Sequence, residues 1–271
     1  MAVLPHKGCN LSYVLEGSGP PVLMIQGVGV LGSGWLPQLP ALAPGFTCLT
    51  YDNRGLGKSQ PVGAKITIPQ LAEDALALLD AQGWDSAHVV GHSMGGVIAQ
   101  EVALRARNRV KSLTLLCTVS KGKDATSLTP FRFFTGIRTW VGTAAGRRKA
   151  FLQMVLPPNE VPADPVARAA LAEKLAVWFG HDLANHPPKA IRQLNALSAH
   201  DTTPRLKELA GIPTLVVSAE LDQIAPAKFG RALAEGIPGA KYVEIRGASH
   251  GAPMVRANEV NAYLLAHLNA C

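Results

Sequence analysis

The stretch Gly91-His92-Ser93-Met94-Gly95-Gly96 decides the fold of this chain of 271 residues. It places a serine between two glycines, after an apolar run at 88–90 and before a helix-like run at 97–105. A serine on a very tight strand-to-helix turn needs small residues two positions before and after it, because larger side chains would collide with the neighbouring backbone. Gly91 and Gly95 meet that need. The alternative is a plain turn in which Ser93 only caps a helix.

Short apolar runs alternate with helix-like patterns along much of the chain, which is typical of a parallel sheet with crossover helices. Between two of these runs, residues 67–82 are predicted to form an amphipathic helix, with Thr67 and Gln70 as its capping box. The fold class is therefore predicted to be α/β, with a mostly parallel central sheet and helices on both faces. The predicted strands are 11–15, 22–26, 47–51, 88–91, 112–116, 214–218 and 242–245.

The alternation stops after residue 116. From about 120 to 203 no strand pattern occurs, and prolines separate short helical stretches that hold five of the seven phenylalanines and two of the four tryptophans. We predict a core of residues 1–119 and 204–271 and a helical cap of residues 120–203. Four aromatic residues of this cap are candidates for lining a substrate pocket, although each could instead pack the cap on itself or on the core: Phe134, Trp140, Trp178 and Phe179.

Positive charge is concentrated in the same segment. The chain has a net charge of +7, and residues 121–149 contain seven lysines and arginines against Asp124 alone. Such a segment can attract an anionic substrate or surface, or it can simply be a set of solvated helix faces. No recognised nucleic-acid-binding motif accompanies it, so nucleic acid is not predicted as a partner.

Several other classes are disfavoured by composition. No apolar run approaches the roughly 20 residues of a membrane span, and the first residues lack the layout of a signal peptide, so we expect a cytoplasmic protein. The four cysteines (Cys9, Cys48, Cys117 and Cys271) have neither paired nor metal-ligand spacing, so we expect no disulfide and no metal. A monomer and a homodimer remain equally open.

Two residues can activate Ser93, because a serine hydroxyl needs a base, usually a histidine held by a carboxylate. Asp222 lies four residues after the predicted strand ending at 218, and His250 five after the one ending at 245. Active-site groups collect beyond the carboxyl ends of parallel strands, so both are predicted to face Ser93. Glu220 is a rival acid. His92 is a rival base, but its side chain should point away from Ser93.

A tetrahedral oxyanion needs two N–H donors. Met94, directly after the serine, offers one at the start of the helix. The second is assigned to Val28, in the glycine-rich turn Gln26-Gly27-Val28-Gly29 that follows an earlier predicted strand. Gln26 and Gly27 are also candidates for contacting substrate; the alternative for the Gln26 amide is to orient this turn by hydrogen bonding.

Four motifs, in order, resemble those of the α/β-hydrolase superfamily, and the resemblance covers essentially the whole chain. GHSMGG resembles its nucleophile elbow, residues 51–59 (YDNRGLGKS) its D-x-R-G-x-G-x-S turn, residues 221–226 its acid loop and residues 247–251 its histidine loop. Within the superfamily the chain most resembles small capped esterases, enol-lactonases and aminoacrylate hydrolases, and the stretch 192–197 leading into Asp201 adds to that likeness. Many relatives have histidine where this chain has Gln26. Asp52 and Arg54 are predicted to be a structural pair within their own turn.

The resemblance implies a serine hydrolase that cleaves carboxylic esters or lactones through an acyl-enzyme on Ser93, without a cofactor. A serine at the elbow disfavours the epoxide and halide chemistry of relatives that need an aspartate nucleophile. The expected substrate is a small ester or lactone, and an anionic one would suit the basic cap. The alternatives are a hydrolase of carbon–carbon bonds in diketones, which uses the same triad, and a slow-turnover ligand-binding receptor. Perhydrolase or haloperoxidase activity is expected only as a side reaction.

Overall fold

A single sheet forms the centre of the molecule. The computed structural model describes residues 1–61, 65–126 and 130–271, so residues 127–129 of the predicted cap lie outside the described part. The strand order in the sheet is β1-β2-β4-β3-β5-β6-β7-β8; β1, β2 and β4 pair antiparallel, and the pairs from β4 through β8 are parallel. The strands of this described part are β1 (Ala2–His6), β2 (Cys9–Glu16), β3 (Pro21–Ile25), β4 (Thr47–Tyr51), β5 (Ala87–His92), β6 (Val110–Leu116), β7 (Thr214–Ala219) and β8 (Lys241–Ile245).

Helices connect most of these strands. The α-helices within the described ranges are α1 (Leu39–Leu42), α2 (Ile68–Ala81), α3 (Met94–Arg105), α4 (Gly122–Thr126), α5 (Pro130–Trp140), α6 (Ala144–Val155), α7 (Pro165–Phe179), α8 (Ala190–Ser198), α9 (Ala227–Gly236), α10 (Ala252–Val255) and α11 (Ala257–Leu268). The helix predicted at 67–82 is α2, and the Thr67 side chain accepts a hydrogen bond from the Gln70 N–H, which is one of the two bonds of a capping box. None of the described helices is long and apolar enough to cross a membrane.

Apolar residues on both faces of the strands explain why the sheet is covered on both sides. Successive side chains of a strand point to opposite faces. Leu23 and Ile25 of β3 accordingly belong to the hydrophobic cluster that includes residues of α2 and α3, whereas Val22 and Met24 belong to the cluster that includes residues of α1 and α11. This double burial confirms the predicted α/β class with helices on both faces.

The first strand was not predicted from the sequence. Residues 2–6 are mostly exposed or half-buried, and they contain Pro5, which removes one backbone donor. A proline is tolerated here because β1 is an edge strand, with β2 as its one neighbour among the described strands.

The described residues between β6 and β7 form helices α4 to α8 and no strand, while β6 and β7 themselves pair directly. Phe151, Leu175 and Phe179 of this insertion share a hydrophobic cluster with Val30, after β3, and Met254, after β8. The insertion therefore packs on the loops at one edge of the sheet. Its boundaries as a cap, 120–203, stay a prediction.

The predicted pairing of Asp52 with Arg54 is wrong. Arg54 instead donates two hydrogen bonds to the carboxylate of Asp74 on α2, and both side chains are almost fully buried. Asp52 does hold its own turn, because it accepts from the N–H groups of Gly32 and Lys58. Asp74 lies 20 residues after Arg54, and no sequence pattern indicated that the two side chains would pair.

Removing the carboxylate of Asp74 should destabilise the fold strongly. The Asp74→Asn variant leaves the guanidinium of Arg54, with a side chain 1% exposed, without its counter-charge, and breaking a buried pair costs about 3 to 5 kcal/mol. Urea unfolding measures the loss. The Glu208→Gln variant, which breaks a solvent-exposed pair with Arg205, is the control and should change little; equal effects of the two variants would contradict the role of the pair.

Stability should also fall in mild acid because of His88. Burial, with help from Lys111 and His267, lowers the pKa of His88 from 6.5 to about 4. Below pH 6.5 the unfolded chain therefore takes up a proton that the native state does not, so the free energy of unfolding falls as the pH drops. This one group contributes about 2 kcal/mol of loss between pH 7 and pH 5. In His88→Asn, the loss of unfolding free energy between pH 7 and pH 5 should be smaller than in the wild type by that amount. The same loss in both proteins would contradict the role of His88.

Candidate active site

Ser93 occupies a turn between β5 and α3 whose backbone geometry is unusual. Its φ is 56° and its ψ is −124°, a region that residues with side chains rarely adopt. Two hydrogen bonds hold this conformation: the Ser93 N–H donates to the Leu116 carbonyl, at 2.9 Å, and the Thr118 hydroxyl donates to the Ser93 carbonyl, at 2.6 Å. The surrounding structure thus fixes the direction of the serine side chain.

The glycines around Ser93 are required by close backbone contacts. A Cβ atom on Gly91 would collide with the backbone of Gly95, and one on Gly95 would collide with the carbonyl oxygen of Ile25 at the end of β3. A Cβ on Gly96 would meet the Thr118 side chain at 2.6 Å. These contacts agree with the reason given for the GxSxG spacing.

The structure brings Ser93, His250 and Asp222 together, although 157 residues separate the first two. His250 Nε2 lies 3.0 Å from Ser93 Oγ, and His250 Nδ1 lies 2.8 Å from Asp222 Oδ2. Asp222 and His250 come from the loops after β7 and β8, so all three side chains lie beyond the carboxyl ends of parallel strands, as predicted from their spacing to the strands. The three form one continuous line of hydrogen bonds.

The environment of Asp222 keeps its carboxylate ionised. Burial alone would raise its pKa, but the facing His250 and the N–H groups of Ala225 and Ile224 lower the pKa below its ordinary value. These two N–H groups donate to Oδ1, which leaves Oδ2 for His250. The rival acid, Glu220, is directed elsewhere and accepts from the Gly247 N–H.

His92, the rival base, lies behind the site. Its Nε2 is 3.1 Å from the carbonyl oxygen of His250, and its Nδ1 is 3.3 Å from Oε1 of Gln26. Complete burial and the neighbouring His250 lower the pKa of His92 to about 3, so the ring is neutral near pH 7. A neutral ring has one N–H and can donate to only one of these two oxygens. Donation from Nε2 to the His250 carbonyl, the shorter contact, supports the histidine loop and leaves Nδ1 beside Gln26 Oε1 without a hydrogen bond.

The turn after β3 passes directly beside Ser93. A Cβ atom placed on Gly27 would lie 2.9 Å from Ser93 Cβ and 3.3 Å from Ser93 Oγ, so only glycine fits there without a shift. Within the described chain, neither the Val28 N–H nor the Met94 N–H has a hydrogen-bond acceptor. Both predicted oxyanion donors are therefore available, one on this turn and one at the start of α3.

Gln26 is buried beneath this turn. Besides its contact with His92, its Oε1 is 3.3 Å from the Gly27 N–H, and its backbone carbonyl accepts from Asn53 Nδ2 at 2.8 Å. These contacts favour the second of the two roles considered for Gln26, orientation of the turn. Its Nε2 has no partner among the described residues.

The four aromatic candidates of the insertion lie in different surroundings. Trp140 is half-exposed and stacks on His186 with 4.0 Å between ring centroids. Phe179 is buried edge-on against Phe151, Trp178 is half-buried beside Lys174, and Phe134 is 67% exposed. These ring contacts are within the insertion, and Phe179 and Trp178 also pack in the hydrophobic cluster that includes Val30 and Met254 of the core. Both kinds of contact correspond to the packing alternative, and a pocket-lining role of the four stays a prediction.

Two arginines of the basic segment are used within the insertion. Arg148 makes a two-pronged ion pair with Asp182, at 2.8 and 2.6 Å, and this pair lowers the pKa of Asp182 to about 2. Arg147 donates to the carbonyls of Ala184 and Gly142. Neither side chain is therefore free to bind a substrate anion without losing these contacts.

Two residues that matter at this site were missed in the sequence. Thr118 holds the Ser93 carbonyl, and its place two residues after a strand end was the available signal. Gln193 accepts from the Gly29 N–H at 3.0 Å. It lies on the buried face of α8 among Ala190, Ala196 and Leu197, and a polar residue on an otherwise apolar face was the signal for it. No cluster of three or more potential metal ligands occurs in the described part of the chain.

Comparisons with known proteins agree with this architecture. Residues 20–257 match the family model for the alpha/beta hydrolase fold. A proposed carbamate hydrolase, RutD, from Azorhizobium caulinodans is 32% identical over 96% of both chains, and a proposed non-heme bromoperoxidase, BpoC, from Mycobacterium tuberculosis is 30% identical over 94% of this chain and 96% of that one. The crystal structure of an enol-lactonase from Burkholderia xenovorans superposes with a TM-score of 0.81 at 26% identity, covering 98% of this chain and 99% of the other. The chain belongs to the α/β-hydrolase family.

Proposed function

We propose that this member of the family is a serine hydrolase that cleaves carboxylic esters or lactones through an acyl-enzyme on Ser93. The observation that carries the proposal is the line of hydrogen bonds from Ser93 Oγ through His250 to Asp222, at 3.0 and 2.8 Å. This geometry suits removal of the serine proton by His250 during attack. Asp222, ionised at neutral pH, would hold the His250 ring with its proton on Nδ1 and stabilise the imidazolium that forms.

The proposed reaction has two acyl-transfer steps. Ser93 Oγ attacks the carbonyl carbon while its proton passes to His250 Nε2, and collapse of the tetrahedral intermediate passes this proton to the departing alcohol oxygen. The carbonyl carbon is then bonded to Ser93 Oγ. Water, deprotonated by His250, attacks this acyl-enzyme; the proton returns to Ser93 Oγ and the acid is released. In a lactone the alcohol stays attached to the same molecule.

The negative oxygen of each tetrahedral intermediate is proposed to bind the Val28 and Met94 N–H groups. Both donors lack an acceptor within the described residues, and the turn that carries Val28 lies against Ser93. The start of α3 adds the favourable end of a helix dipole. Preorganised donors of this kind are usually the largest single contribution to acyl-transfer catalysis.

The relatives support acyl chemistry without choosing a substrate. A proposed carbamate hydrolase and an enol-lactonase both carry names that describe cleavage at a carbonyl carbon.

We extend the proposal to the architecture and the location of the protein. Helices α4 to α8 are proposed to belong to a cap of residues 120–203 over the site. A cytoplasmic location is proposed because it fits the four free cysteines.

Replacement of the proposed nucleophile is the first test. In Ser93→Ala, kcat for p-nitrophenyl esters and for lactones should fall by roughly 10⁴-fold or more, because the variant lacks the proposed nucleophile. The Ser12→Ala variant, which truncates a buried serine in β2, should keep wild-type kcat. Steady-state kinetics on an ester and lactone panel measures both.

The results of this panel distinguish the proposed mechanism from its two alternatives. Hydrolysis that survives in Ser93→Ala would overturn the mechanism. Wild-type turnover of diketones but not of esters or lactones would replace the proposal with carbon–carbon bond hydrolysis. Stoichiometric labelling of Ser93 by a fluorophosphonate without multiple turnover on any of these substrates would replace it with the receptor alternative.

We also propose that the positive charge of the chain favours anionic substrates through its overall field. The proposal relies on the net charge of +7 rather than on Arg147 or Arg148, which are held by other groups. Salt should therefore lower kcat/KM for an ester that bears a carboxylate and leave a neutral ester of similar size nearly unchanged, since screening acts on long-range attraction. Kinetics between low and roughly 0.5 M salt tests this; the same salt response for both esters would contradict it.

A further inference from the structure

The turn that carries Val28 is held in place by the helical insertion. Four hydrogen bonds join residues 29–33 to helices α7 and α8 or to the residues between them. The Gly29 N–H donates to Gln193 Oε1 at 3.0 Å, and the Gly29 carbonyl lies 3.1 Å from His181 Nε2. The Leu31 N–H donates to the Phe179 carbonyl at 3.2 Å, and the Ser33 hydroxyl donates to the Trp178 carbonyl at 2.9 Å.

Gly29 is fixed on both sides. Its N–H and its carbonyl belong to two consecutive peptide groups, and each has a partner from the insertion, Gln193 for the first and His181 for the second. Its φ of 73° lies in the left-handed region, which glycine tolerates best. Pro187 and Ala190 of the insertion also pack on it, because a Cβ placed on Gly29 would be 3.6 to 3.8 Å from their side chains. The peptide next to the Val28 N–H is therefore set by residues more than 150 positions away.

Burial of the Gln193 amide is unfavourable, and its hydrogen bond to the Gly29 N–H is the contact that explains it. Its side chain is completely buried, and its Nε2 has no partner among the residues that the structure describes. Leaving a buried amide donor unpaired destabilises the fold, because its bond to water is lost and not replaced. An apolar residue would pack on that face of α8 without this cost. The contact of Oε1 with Gly29 is the feature that such a residue could not supply.

The end of α7 fits the same turn closely. Gly180, the residue after α7, has a φ of 79°, and a Cβ on it would collide with the side chain of Leu31. The Leu31 side chain therefore packs directly on the backbone at the end of α7, a close contact that only glycine at position 180 leaves room for.

We propose that helices α7 and α8 complete the oxyanion hole, with Gln193 and His181 as positioning residues that hold Gly29 so that the Val28 N–H points at the oxyanion. This inference rests on the proposed function. Neither residue needs to touch substrate: Gln193 Oε1 accepts from the Gly29 N–H, and in this proposal His181 is the tautomer that donates from Nε2 to the Gly29 carbonyl rather than from Nδ1 to the Asp182 carbonyl. The insertion then contributes directly to the rate of the chemical step in addition to any pocket it forms.

Loss of either contact should therefore affect the transition state more than the bound substrate. Removing an oxyanion donor outright typically costs about 10² to 10³ in kcat, so misplacing one should cost roughly 10- to 100-fold. We expect Gln193→Met and His181→Leu to lower kcat within that range and to change KM by less than about threefold, the pattern of an interaction made only in the transition state. The inhibition constant of a trifluoromethyl ketone analogue, which forms a tetrahedral oxyanion on Ser93, should rise in proportion to the loss of kcat.

Conservative variants separate positioning from simple stabilisation of the fold. Gln193→Glu keeps an acceptor oxygen beside the Gly29 N–H, and His181→Gln keeps a donor for the Gly29 carbonyl. Each should recover most of the kcat that Gln193→Met or His181→Leu loses. Gln193→Glu should do so although it unfolds at a lower temperature than Gln193→Met, because its glutamate is buried. The control is Asn261→Leu, which removes a buried amide that donates to the Pro37 carbonyl at 3.1 Å. This variant should lower Tm and leave the inhibition constant of the trifluoromethyl ketone unchanged.

Failure of this inference can be distinguished from failure of the proposed function. Activity that survives in Ser93→Ala removes the proposed function. If Ser93 is essential but Gln193→Met and His181→Leu keep wild-type kcat and inhibitor affinity, the inference alone is overturned. It is also overturned if these two variants change only KM, or if kcat follows Tm across all five variants, because a purely structural role would then explain the losses.

Discussion

The strained backbone of Ser93 is the constraint on which the rest of the site depends. A residue held with a φ of 56° stores about 1 to 3 kcal/mol of strain and persists only when its surroundings fix it. Those surroundings are specific. The end of β6 supplies the Leu116 carbonyl, and the loop directly after it supplies the Thr118 hydroxyl. The end of β3 approaches Gly95 so closely that no side chain fits. The central strands of the sheet thus determine where Ser93 Oγ lies.

The loops that carry the other two groups are joined to each other and to this turn. The Leu221 N–H donates to the Ala248 carbonyl at 2.8 Å, which couples the acid loop to the histidine loop. His92 contacts the His250 carbonyl from the nucleophile turn, and the Gly251 N–H donates to the Val155 carbonyl at the end of α6. The insertion therefore contacts both the histidine loop and the turn after β3, so it contributes to the geometry of the site from two sides.

The fold class and the line Ser93–His250–Asp222 could be predicted because both follow from local patterns combined with one topological rule. Apolar runs mark the strands, and parallel strands gather the residues that follow them at one edge of the sheet. The partners of Arg54 and Gly29 follow no such rule. Arg54 lies in the turn after β4 and binds Asp74 on α2, and Gly29 binds Gln193 on α8, 164 residues away. Both contacts depend on how α2 and α8 pack. The edge strand β1 was missed because it is short, largely exposed and contains a proline.

The central claim is that acyl groups pass through Ser93, and isolation of the acyl-enzyme tests it most directly. His250→Gln lacks the base for both Ser93 and water, so both steps slow down. An activated ester has a leaving group that departs without protonation, so its acylation should be impaired less than deacylation, and the acyl-enzyme should accumulate during a long incubation. Mass spectrometry of the intact protein, followed by peptide mapping, should then find one acyl group per chain, on the peptide that contains Ser93. An acyl group on any other residue, or rapid ester turnover by this variant with no covalent adduct, would contradict the account.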